Sequence, residues 1–90
     1  MSCYLITFQI EDSVSYDAIA AKIRTNPKWA RVMRNVWIIQ TELKMTDVRE
    51  SISVIIGNNR GSVMVMEVSN AAWATYSVDK EITDWMKNNI

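Results

Sequence analysis

Histidine is absent from this 90-residue chain, which removes the commonest general base and the commonest transition-metal ligand. One cysteine, Cys3, excludes an internal disulfide and any multi-cysteine zinc site. Ten basic and ten acidic residues cancel, so no global field draws the protein toward nucleic acid or acidic membranes. One proline and two glycines leave no linker, low-complexity tract or repeat, and the reading is a single domain over 1–90. No apolar run approaches the ~20 residues of a membrane span. The N-terminal apolar stretch has no Lys or Arg ahead of it and is interrupted by Thr7 and Gln9, so a cytoplasmic protein without a signal peptide is expected. Ser13, Ser15 and Ser69 have no base placed to activate them, and Gly57 and Gly61 form no phosphate-cradling pattern.

What is present is apolar: 49% of residues, with four Trp and six Met. Residues 3–10 are a β-branched and aromatic run, hence a strand. Side-chain alternation puts Tyr4, Ile6, Phe8 and Ile10 on one face and Cys3, Leu5, Thr7 and Gln9 on the other. The first face should meet helices. Ser13 or Ser15 is read as a helix cap, with Asp17 in the first turn, before Tyr16, Ile19, Ala20 and Ile23 at helical spacing. Asn26-Pro27 ends that helix. Strands are expected at 29–33 and 36–41, joined by a turn at Arg34-Asn35; the alternative is one strand over 29–41 in a three-stranded sheet. Thr46 is read as the cap of a second helix striped by Val48, Ile52, Ile55 and Ile56 and closed by Gly57. Residues 62–68 form a nearly unbroken apolar strand, expected to be covered on both sides, with Glu67 its one charge. A last helix runs from about Asp79 to Asn88, its inner face Ile82, Trp85 and Met86. The order β-α-β-β-α-β-α gives the fold class: α+β, a ferredoxin-like βαββαβ plait with an antiparallel sheet and an extra C-terminal helix.

Several segments resemble the CRISPR-associated Cas-two type and its SinR-like relatives. Tyr4-Leu5-Ile6-Thr7-Phe8-Gln9-Ile10 is similar to that family's first strand, and Asn35-Val36-Trp37-Ile38-Ile39 to its third. Lys44 to Ile56 resembles its second helix. Val63–Val68 followed by Ala72-Trp73-Ala74-Thr75-Tyr76 resembles the last strand and Trp-containing loop of the SinR-like branch. The resemblance implies a homodimer, association with RNA or DNA, and in many members Mg²⁺-dependent phosphodiester cleavage. Where the family carries a metal-binding Asp at the end of strand one, this chain has Gln9, and a neutral amide is a poor ligand for a hard cation. Glu11 and Asp12 just beyond it, and Glu67 from the neighbouring last strand, are the candidates to hold metal instead. Otherwise Glu11 and Asp12 belong to a solvated loop facing a helix N-terminus, and Glu67 is an edge charge.

Charge is segregated along the chain. From Ala18 to Thr41 there are five basic residues and no acid: Lys22, Arg24, Lys28, Arg31 and Arg34, beside Trp29 and Trp37. Cations interleaved with aromatics suit phosphate contact and base stacking, and Lys28, Arg31 and Arg34 are the expected nucleic-acid contacts. Both phases of 36–41 and 63–68 are apolar while helices can cover only one, so a homodimer through the face carrying Leu5 and Thr7 is expected. Three functions follow: a dimeric nucleic-acid-associated scaffold or regulator, without cofactor; a Mg²⁺-dependent endoribonuclease or endonuclease working through Glu11, Asp12 or Glu67; or a module binding a second protein, antitoxin-like or phage-borne.

Overall fold

β1 (Ser2–Ile10) is the strand on which everything else is laid. The computed structural model describes all residues from Met1 to Ile90. β1 is followed by α1 (Ser13–Ile23), the hairpin β2 (Lys28–Met33) and β3 (Val36–Thr41), α2 (Met45–Ile56), β4 (Gly61–Glu67) and α3 (Lys80–Asn89). The sheet order is β2-β3-β1-β4 and every neighbouring pair is antiparallel. This is the ferredoxin-like plait with an added C-terminal helix. The hairpin replaces the alternative of a single strand over 29–41, because Arg34-Asn35 turns the chain back on itself.

Alternation along β1 sorts the core into two layers. Tyr4, Ile6 and Phe8 pack under α1 and α2 with Tyr16, Ile19, Ile23, Trp37, Ile39, Val48, Ile52 and Ile56. The opposite face carries a smaller cluster of Cys3, Ile38 and Met86, flanked by Leu5, Val32, Val68, Trp73, Ile82, Trp85 and Ile90. The expectation that helices cover only one face is therefore corrected: α3 packs against β2 on the second face, and the segment after β4 brings Val68 and Trp73 to the same layer. An amphipathic helix must bury its apolar stripe, and the only unclaimed apolar surface was there.

β4 also differs from expectation. It is an edge strand, and Met64 and Met66 are 54% and 46% exposed, so it is not covered on both sides. An unbroken apolar run reads the same whether its second face meets protein or solvent. Two caps move as well. Asp12, not Ser13 or Ser15, caps α1, its carboxylate accepting from the Val14 and Ser15 N–H groups. Asp17 lies beyond the first turn, which carries no acid. Lys44 rather than Thr46 occupies the N-terminal position of α2, with no side-chain cap bond. Gly57 closes α2 at φ 55°, as its sequence position implied. No helix is long and apolar enough to cross a membrane.

Candidate nucleic-acid interface

The basic run folds onto an aromatic shelf at the β2 side of the helix-bearing face. Register decides which of its members converge. Trp29 pairs with Ile39 and Arg31 with Trp37, and directly opposed residues share a face, so both project toward the helices. Trp37 is buried to 1% exposure, and Trp29, 38% exposed, lies on it with ring centroids 5.7 Å apart. The Arg31 guanidinium sits 5.7 Å from the Trp37 ring centre and 5.8 Å from that of Tyr16. Arg34, in the hairpin turn, lies 4.2 Å over Tyr16, and the Tyr16 hydroxyl donates to the Arg34 carbonyl oxygen at 2.6 Å. Arg24, the C-cap of α1, approaches the Trp37 ring from the helix side at 5.9 Å.

Lys28 does not join them. It pairs with Gln40, whose other neighbour is Cys3, and so projects to the second face. Of the expected contacts Lys28, Arg31 and Arg34, the shelf therefore gathers Arg31 and Arg34, and Arg24 joins them. Arg24 belonged to the same basic run, but the strand positions gave no hint that a helix C-terminus would lean over Trp37. Tyr16, read as a core residue, also carries two of the guanidinium contacts. Cation–π contacts at exposed sites are worth about 0.5–1 kcal/mol, enough to orient the side chains and too little to neutralise them. None of the five basic residues between Ala18 and Thr41 forms an ion pair; the chain's two ion pairs, Arg49–Glu50 and Lys80–Asp84, lie elsewhere. Asp79 borders one depression with Arg31 and Arg34, without pairing with either.

The residues proposed for metal chemistry are dispersed. Gln9 is exposed on the second face, opposite Ser62 of β4. On one side it borders an open depression of about 320 Å³ with the neutral side chains Thr7, Asn35 and Ser62. On the other it borders Glu11 together with Arg60, a cation that disfavours a second one. Asp12 is committed to α1: besides the two backbone N–H groups it accepts from the Ser15 hydroxyl at 2.6 Å, and these bonds hold its carboxyl below the usual carboxylate range. Glu67 pairs with Tyr4, five residues along the strand from the Gln9–Ser62 pair and on the opposite face, roughly 17 Å away at the usual rise. Its carboxylate accepts from the Ser69 hydroxyl. No three His, Cys, Asp or Glu side chains come together as a metal site. Gln9, Glu11, Asp12 and Glu67 therefore do not form the convergent donor set that Mg²⁺ requires.

Leu5 and Thr7, the expected dimer contacts, are both half-buried. Leu5 belongs to the cluster under α3, whereas Thr7 borders the depression beside Met64. No protein-family model matches the chain, and no curated protein sequence does.

Proposed function

We propose that this protein is a homodimeric, nucleic-acid-associated scaffold or regulator, akin to the CRISPR-associated Cas-two type it resembles, that binds without cutting. The observation that carries the reading is the set of three unpaired guanidinium groups, Arg24, Arg31 and Arg34, arrayed on Tyr16 and Trp37 with Trp29 partly exposed beside them. Cations held in place but not neutralised are what phosphate contact needs, and an exposed indole offers a stacking surface to an unpaired base. The dispersal of Glu11, Asp12 and Glu67 argues against the endonuclease alternative, because a single carboxylate beside Gln9 offers too few hard oxygen ligands to organise a phosphoryl centre.

The test is fluorescence anisotropy with labelled single-stranded RNA and DNA over a salt series, with the same oligonucleotides incubated in Mg²⁺ or Mn²⁺ and resolved on a gel. Each phosphate contact adds about 0.7 to the slope of log affinity against log salt for a single strand, so Arg31→Ala with Arg34→Ala should flatten the slope by about 1.4. Wild-type affinity and slope in that double variant would remove nucleic acid from the reading and leave a protein-binding module. Metal-dependent cleavage abolished by Glu11→Gln would replace the scaffold with the endonuclease.

A further inference from the structure

The two edges of the sheet are built differently. β2 is guarded: Pro27 precedes it, Lys28 and Arg31 lie on it, and its register shifts between Arg31 and Met33. Prolines, charges and bulges are the devices by which edge strands avoid pairing with another chain. β4 has no proline and no bulge, and a charge only at its end. Its sequence, Gly61-Ser62-Val63-Met64-Val65-Met66-Glu67, has no proline and no basic residue, runs in unbroken register against β1, and bears one charge at its last position.

The backbone of that edge can be read group by group. The Val68 N–H donates inward to the Cys3 carbonyl at 2.8 Å. Inward and outward N–H groups alternate along a strand, so those of Met64 and Met66 also face β1, and those of Val63, Val65 and Glu67 face outward with nothing beyond them. Seven residues have Met64 as their midpoint. A second copy laid antiparallel in full register therefore places Met64 on a two-fold axis against itself. Val63 of one copy then faces Val65 of the other, and Gly61 faces Glu67. Glu67, the only charge on the edge, then opposes the uncharged Gly61, and the two copies' Glu67 residues fall at opposite ends of the junction, so no like charges are brought together.

We infer that β4 is the interface through which two copies of this chain join, edge to edge, into one eight-stranded antiparallel sheet. The exposed methionines are fitted to it: they are unbranched and adaptable, and line the junction on the second face, at the sheet edge that remains exposed beyond α3. This rests on the homodimer part of the proposed function and is independent of nucleic acid. It replaces the face-on contact through Leu5 and Thr7, since Leu5 is already occupied within the chain.

Sedimentation velocity on the full chain tests it, without nucleic acid. Wild type should be a dimer at tens of micromolar, on the order of a weak dimer's Kd. Val65→Pro removes an N–H that β1 does not use, a position where an edge strand tolerates proline, and should weaken the dimer at least about tenfold with an unchanged circular dichroism spectrum. Met64→Cys should oxidise to a covalent dimer, because a non-hydrogen-bonded antiparallel pair has its Cα atoms about 4.5 Å apart, within disulfide reach. That crosslink decides the matter if the proline variant unfolds. Thr7→Lys, one strand in from the edge, should leave the dimer intact. A wild-type monomer, absence of the Met64→Cys crosslink, or a dimer that survives Val65→Pro and is lost in Thr7→Lys, overturns the edge pairing. The salt-dependent binding of the arginines stands or falls separately.

Discussion

Cys3 is a built-in reporter of how firmly α3 holds the second face. It is the only cysteine, is buried against Ile38 and Met86, and burial pushes its thiol above the ordinary value. A thiol reagent reaches it only when that layer opens. Met86, at 4% exposure, is the only fully buried residue of α3. Met86→Ala removes most of its side chain; such truncations cost about 2–5 kcal/mol. The second cluster has three buried members against twelve in the main core, so partial collapse is easy and the low end applies, about 2 kcal/mol. If α3 is the cover, this loss falls on its docking equilibrium and raises Cys3 labelling about thirtyfold, since each 1.4 kcal/mol is a factor of ten. Labelling should be followed with a chromogenic disulfide reagent, in conditions where closing outpaces reaction, beside a urea titration of the main core. A labelling rate within about twofold of wild type alongside a lowered urea midpoint would refute the reasoning, because Cys3 would then be protected only by the main fold.

Three further outcomes follow from local geometry. Asp12→Ala should destabilise the protein at neutral pH; because the folded carboxyl is held below its ordinary value, its contribution is present above the usual carboxylate range and lost as pH falls through the lowered folded value, so urea midpoints of variant and wild type should converge in acid. Tyr16→Phe keeps the ring under Arg31 and Arg34 but deletes the 2.6 Å bond to the Arg34 carbonyl, costing about 1 kcal/mol in thermal unfolding and speeding hydrogen exchange in the hairpin turn. Gly57→Ala should cost about 1–3 kcal/mol, measured by urea titration, because the backbone at φ 55° and ψ −124° suits glycine alone even though an added Cβ would meet nothing closer than 3.6 Å.

The sequence by itself determined the elements, their order and the inner faces of β1 and the helices. Those properties depend on short-range periodicity: alternation in β1 separates Tyr4, Ile6 and Phe8 from Cys3, Leu5 and Thr7, and helical spacing aligns Val48, Ile52 and Ile56. It also located the basic run between Ala18 and Thr41. Tertiary structure decided what lies across from what. That α3 covers the second face depended on surface left vacant by α1 and α2, which no local pattern encodes. Sheet order made β4 an edge and left its methionines exposed. Register sent Lys28 to one face and Arg31 to the other, brought Arg24 in from a helix end, and set Glu67 far from Glu11 and Asp12. A chemical site is a coincidence of side chains distant in sequence, so the residue types were legible along the chain and their meeting was decided by the fold.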